Sequence, residues 1–379
     1  MDWINSNKEW LFSGIAIAIP LAILGWIFST KKKNKQVQKS GSKSTNIQAN
    51  EIVVHQGLSY SEVKNVALDV FRANFYELGG NARAIAEARA AEITESFLKQ
   101  LQLENPSGFS KAEDPAFQRA LFTVQQEYAS TGDEDLGSLL VDLLVDRSKH
   151  EQRNILQIVL NESLSTAPKL TNDQLAALAI IFILKYCQDN GVGNHEMIGE
   201  YFDKFVLPFS DKLSKSKSCY QHLEYSGCGS IGLGVVVLEQ VLKSHYQGLF
   251  LKGFDAAVVA QNEIAIGLDN RVFIPCLNDP TKLQVKATNK DVLNILLDSL
   301  SIGQEDRAKI TSLFEQGLMS NEEVKTKCVS IRPYMEQIFS TWASSSMQNF
   351  NLTSVGIAIG HANVKRLVGE FANLSIWIN

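Results

Sequence analysis

Cysteine and proline are scarce in this sequence, and recognisable chemical signatures are scarcer still. Five cysteines, Cys187, Cys219, Cys228, Cys276 and Cys328, stand at irregular spacing in 379 residues. An odd count with no repeated interval excludes a disulfide scaffold and fits reduced thiols. Eight prolines and 24 glycines beside 45% hydrophobic residues exclude a collagen-like or disordered chain. There is no Walker A loop, no G-x-S-x-G elbow and no deaminase signature. His150-Glu151 and His195-Glu196 each open an H-E pair. Asn154 and Gly199 occupy the places where H-E-x-x-H needs its second histidine, so a zincin site is excluded. Gly132-Asp133-Glu134-Asp135 is acidic but lacks the spaced ligands of a calcium loop, and reads as acids in a first helical turn. No internal repeat and no sustained heptad pattern is present. No cofactor is implied, and no motif names a reaction.

What is there is polarised. Of 36 basic and 41 acidic residues, the first 50 positions hold seven lysines and only Asp2 and Glu9. Residues 51–379 keep 29 basic and 39 acidic residues, a net charge of −10. Residues 10–28 carry no charge over 19 positions, and a helix needs roughly 20 residues to cross about 30 Å of hydrocarbon. Trp10 and Trp26 stand near the ends of the run, where indole favours the headgroup level, and Pro20 lies in its middle. Lys31, Lys32, Lys33 and Lys35 follow, with Lys39 and Lys43 behind them. A cleaved signal peptide fits less well, because the N-terminal flank is not basic and the apolar run is long. The pattern predicts one transmembrane helix, with the N-terminus outside and the body in the cytoplasm at the inner membrane. The lysines either set that topology or also hold anionic lipid. A basic run before an acidic body argues against nucleic acid as a partner.

The body reads as mainly α, with a small β component in the C-terminal half. The predicted organisation is an N-terminal flank and anchor at 1–30, a basic tether at 31–56, a helical domain at 57–209 and an α+β domain at 210–379. Ser59-Tyr60-Ser61-Glu62, Thr171-Asn172-Asp173-Gln174 and Ser320-Asn321-Glu322-Glu323 have capping-box spacing. Leu136 to Leu144 begin a helix that could run on through Leu160. Leu175 to Leu184 are ten apolar residues in a row. That is too short for a second span and reads as a central buried helix. Val272-Phe273-Ile274 and Leu283-Gln284-Val285 flank Asn278-Asp279-Pro280 as strand, turn and strand. Leu374 to Ile378 alternate as a half-buried strand would.

Three places are candidates for chemistry. Gly227-Cys228-Gly229-Ser230-Ile231-Gly232 matches G-x-G-x-x-G. In a dinucleotide site Gly227, Gly229 and Gly232 would let amides approach a pyrophosphate as a helix opens at Ile231. Only a weak strand, Cys219–Tyr225, precedes them and no β/α alternation follows, so close helix packing is favoured over phosphate contact. Cys219, His222 and Cys228 supply three potential metal ligands, but structural zinc wants four, and ordinary buried thiols beside a polar histidine fit better. The stretch Val355 to Arg366 alternates small and branched residues and then gathers His361, Asn363, Lys365, Arg366 and Glu370. If helical, it pairs His361 with Lys365 and Arg366 with Glu370 on its faces. That cluster is the candidate recognition spot for an anion or a partner. The plainer expectation is a strand feeding a helix with a surface salt bridge.

Leu58 to Val63 after the tether, Glu134-Asp135-Leu136-Gly137 and Val355 to Arg366 carry a resemblance. The chain resembles an uncharacterised bacterial family of single-span, membrane-anchored proteins with a helical cytoplasmic body. The resemblance implies a bacterial source and brings no catalytic residue with it. The function expected from the whole reading is a membrane-tethered scaffold or sensor. It would act through the lipid bilayer and a protein partner or homo-oligomer, with stress or phage defence as its setting. The alternative is a nucleotide- or phosphoester-handling enzyme built from Gly227–Gly232 and the polar segment 361–370. A pore former ranks low, because Ser13 alone is polar in the apolar run.

Overall fold

The computed structural model describes residues 59–75, 79–150 and 153–378. Helix α1, Tyr60–Asn74, starts at a complete capping box between Ser59 and Glu62. Helix α2 runs Gly80–Glu104, and a 3-10 turn, Pro106–Glu113, reverses the chain. Asp114 caps α3, Pro115–Thr131, which stops at the left-handed Gly132. Asp133 caps α4, Glu134–Ser148, and Asn154 caps α5, Ile155–Thr166. The box of Thr171 with Gln174 opens α6, Asn172–Tyr186. Helices α7, His195–Phe205, and α8, Lys217–Tyr225, follow.

The second half mixes short strands with helices. Strand β1, Gly229–Ile231, precedes α9, Leu238–His245, and α10, Ala257–Gln261. Strands β2, Phe273–Pro275, and β3, Leu283–Val285, form an antiparallel pair in which Ile274 faces Gln284. Helices α11, Lys290–Ser299, α12, Gln304–Glu315, α13, Asn321–Ile331, and α14, Met335–Ser344, lead to strand β4, Phe350–Leu352, and to α15, Ser354–Val368. Strand β4 pairs antiparallel with β1, Ser230 facing Asn351.

The main core draws on residues from Val63 to Ile378, on both sides of residue 210. Its centre is α6, whose residues Gln174 to Leu184 are all buried. Each large aliphatic or aromatic side chain so buried contributes roughly 1.5–3 kcal/mol. Helix α15, buried from Val355 to Val364, lies against it. A Cβ on Gly360 would stand 2.9 Å from the Leu178 carbonyl oxygen, so only glycine permits this approach. Farther along, Asn363 Nδ2 donates to the Leu175 carbonyl at 3.0 Å. A second, smaller core gathers Leu251, Val272, Phe273, Val285, Leu297, Phe314 and their neighbours. The chain leaves the main core for it, and returns, along a paired stem. Lys252 N donates to Gly317 O at 2.8 Å and Met319 N to Phe250 O at 2.9 Å.

The mainly α architecture and the small β component stand, but the expected transmembrane helix does not enter the fold. No helix among the described residues is long and apolar enough to cross a membrane. Trp10, Pro20, Trp26, Lys31, Lys32, Lys33 and Lys35, with the whole of 1–56, lie outside the described residues. The run through Leu160 divides into α4 and α5, because Asn154 caps a new helix. Residues 354–368 are one continuous helix rather than a strand feeding one. The expected terminal strand is a 3-10 turn, Leu374–Ile376, with Asn373 capping it.

The N-terminus of α15 is equally tight. A Cβ on Gly356 would stand 1.9 Å from the Cys228 carbonyl oxygen. Gly356→Ala should therefore lower the unfolding free energy by about 1–3 kcal/mol in urea titration. Gly234 meets nothing within 4 Å, and Gly234→Ala should change it by less than about 0.5 kcal/mol. An unchanged midpoint for Gly356→Ala would show that α15 does not lie this close to residue 228.

Candidate functional site

Helix α15 carries the strongest of the sequence candidates into a cleft of about 850 Å³ between it, α2 and α4. His361, Lys365, Arg366 and Glu370 line the cleft, joined by Gln100, Glu104, Asp142, Asp146, Lys149 and His150. Asn363 does not reach it. Asn363 is buried, with its amide on Leu175 O and its oxygen accepting from Arg366 Nε at 2.8 Å.

The charges in the cleft answer one another. Lys365 Nζ lies 2.8 Å from Glu104 Oε2, 3.5 Å from Asp146 and 3.7 Å from Asp142. Lys149 Nζ meets the same Glu104 at 2.7 Å and Asp146 at 2.8 Å. Gln100 donates to Glu104 and to Asp142. Arg366 pairs with Asp135 at 2.6 Å, not with Glu370 as the i,i+4 spacing suggested. The helix ends at Val368, before Glu370 could stand one turn on. Three carboxylates and two ammonium groups thus tie α15 to α2 and α4.

Burial sets the protonation of each group. It pushes Asp142 up to about 6, against the pull of the Lys365 ammonium and the Gln100 amide. Burial acts the same way on Glu104. Hydrogen bonds from Lys149, Lys365 and Gln100 overcome it and bring that carboxyl down to about 2. Burial pushes His361 below the ordinary histidine value, against its bond to the Ala372 carbonyl. That carbonyl only accepts, so His361 Nε2, 2.6 Å away, carries the proton. Nδ1 is buried without a partner among the described residues.

The glycine motif builds something other than a phosphate cradle. Helix α8 precedes it, not a strand, and α9 opens only at Leu238. Gly229 is in β1, where a Cβ would strike the Phe350 ring and the Asn351 carbonyl. Gly227 has φ +76°, and its carbonyl accepts from Thr353 Oγ1 at 2.6 Å. Thr353 is the N-cap of α15. Gly232 N donates to Asn349 O at 2.7 Å. The motif therefore seats the start of α15, while 361–370 lies at its other end. Gly356 and Lys365 are about 13 Å apart at 1.5 Å per residue.

The sulfur candidates do not converge either. His222 Nδ1 is 2.9 Å from Gln174 Nε2. Burial pushes Cys228 up to about 12 and Cys219 to about 11. Among the described residues, no three His, Cys, Asp or Glu side chains are placed to hold a metal ion. Glu104, Asp142, Asp146 and Lys149 had gone unnoticed in the sequence. One signal was there: Leu139 to Asp146 reads Leu-Leu-Val-Asp twice, which puts two acids one turn apart on an otherwise apolar helix.

Residues 57–378 match a family model described as ":-like", and the chain belongs to that family. No curated protein and no solved structure matches it.

Asp142 and Glu104 should give opposite pH signatures. Asp142 is held above its ordinary 3.8, so its charge costs stability as pH rises from about 4 through 6. Asp142→Asn should gain on the native protein over that range, by at most about 3 kcal/mol. Glu104 is held below its ordinary 4.5, so its contribution is present above that value and is lost as pH falls toward 2. Glu104→Gln should cost roughly 1–3 kcal/mol at pH 7 and progressively less below 4.5. Denaturant titrations at pH 3.5, 5 and 7.5 read both. Parallel pH profiles for the two variants would contradict the assigned burial.

Proposed function

We propose that this protein is a binding module, a scaffold or sensor that acts through a protein partner, its own second copy included. What supports the reading is a held apolar loop between β1 and α9. Leu233 is fully exposed there and Val235 is exposed. The loop is fastened on both sides of them: Gly232 N donates to Asn349 O at 2.7 Å before them, Val236 N donates to Gln348 O at 2.8 Å after them, and Trp342 Nε1 donates to Val236 O at 2.8 Å. Apolar side chains fixed in water on an ordered loop are what a partner surface supplies, since little ordering remains to be done on binding. The cleft supports the same reading. Each lysine or arginine lining it has a carboxylate partner. A phosphoester ligand would have to displace those carboxylates first.

Sedimentation of the full chain, with crosslinking in its host, tests the reading. The native chain should self-associate or be crosslinked to a defined protein. Leu233→Ser with Val235→Ser should weaken that association at least about tenfold, which is about 1.4 kcal/mol, and leave the melting temperature unchanged. A native chain that stays monomeric and is crosslinked to nothing overturns the proposal.

A further inference from the structure

Beyond α15 the chain turns back, and Gly369 to Leu374 line the end of the charged cleft. This C-terminal strap is fastened at two polar points and one aromatic one. His361 holds the Ala372 carbonyl, and Trp377 Nε1 donates to Tyr186 O at 2.8 Å. Phe371 and Trp377 stack with centroids 5.9 Å apart, and the His361 ring is 5.3 Å from the first and 5.7 Å from the second. Phe182 of α6 closes the cluster edge-on. We propose that the strap is a proton-released cover, and that His361 is the positioning residue that lets it go.

The reason lies in what surrounds the imidazole. Protonation would place a second N–H at Nδ1, which is buried with no acceptor among the described residues. The charges nearest His361 are Asp146 of α4, which favours the cation, and Lys365 of α15 and Lys149 beyond α4, which oppose it. Asp142 and Glu104 reach it only through Lys365, which they already hold. The charged groups of α6, Asp173 and Lys185, are at its two ends, and Lys185 is taken up by Phe350 O at 2.8 Å. Helix α5 offers the exposed Glu162. Helix α7 meets the strap through Phe205, with the Lys204 ammonium over that ring. Glu370 of the strap is exposed. A released strap frees the ring to take its proton in water, so acid favours release.

The sign separates His361 from its neighbours. The closed state binds the His361 proton less tightly than the open one, so opening should grow by up to about tenfold per pH unit below roughly 6.5. Protonation of Asp142 acts in the opposite sense, since the folded state favours that proton. Glu104 enters only below its ordinary 4.5. His150 also lines the cleft and is also pushed down by burial, so it needs its own control.

Hydrogen exchange of the full chain between pH 8 and 5, corrected for the intrinsic rate, reads the strap directly. Peptides covering 369–378 should lose protection between pH 6.5 and 5, by up to about fifteenfold, while those from α6 keep theirs. His361→Gln, whose amide can still donate to Ala372 O, should open to the same extent at every pH. His150→Gln should retain the native response. A strap equally protected at pH 8 and 5, or an undiminished response in His361→Gln, overturns the proposal. Should that variant fail to fold, the proton titration of the native His361 ring by NMR decides instead: a midpoint at or above 6.5 overturns it, and one below supports it. The readout is the strap alone and does not depend on whether a partner is found.

Discussion

The body depends on the contact between α6 and α15. Ten consecutive apolar residues, Leu175 to Leu184, leave α6 no face to turn to water, so every side of it must be covered. Helix α15 covers one side of it, and it does so closely because Gly360 has no side chain to hold it off Leu178. Asn363 then donates to Leu175 O, which the approach makes possible. The glycines at 227 and 229, the strand pair β1–β4 and the Thr353 cap all serve to place the beginning of α15. The charged cleft fixes its end.

The two ends are held by unlike means. At the start, backbone meets backbone, and a single added methyl group would be refused. At the end, long charged side chains span from α15 to α2 and α4. Such pairs hold geometry better than they add stability, because each buried charge loses solvation on the way in. Asp142 records that loss and Glu104 its recovery, within one cluster and around one ammonium group. The same helix also carries His361 toward the strap, so the charges and the cover share a lever.

Much of this was legible where the information is local. The capping boxes at Ser59, Thr171 and Ser320 announced their helices correctly, since a cap involves four residues and its own spacing. The buried hub was legible from composition alone, and the β2–β3 pair from its turn residues. What failed was non-local. Strand β1 exists because Phe350–Leu352, more than a hundred residues later, pairs with it, and no window of sequence contains both. The glycine motif was therefore read as a place of close helix packing, with a helix opening at Ile231, and not as part of a strand pair. Ile357 and Ile359 alternate with small residues as strand residues do, yet they lie in a helix in which Gly360 faces α6 and Gly356 faces Cys228. Four of five polar residues named in 361–370 do line one cleft. Their partners were missed because they come from two stretches of chain, 100–104 and 135–149, far from α15 in sequence.

The order of synthesis gives the α6–α15 contact one more meaning. Helix α6 leaves the ribosome before α15, whose first residue, Ser354, lies far beyond Tyr186 in the chain. Between the two, the most apolar helix of the protein has been produced without the partner that completes its cover. The small core of 251–318, with its own stem, has its residues together well before that and can form while the larger core waits. A chain stopped between residues 187 and 353 would carry α6 without its α15 cover, a target for chaperones and for aggregation alike. Helix α6 is thus left without its α15 cover until residues 354–368 have been added.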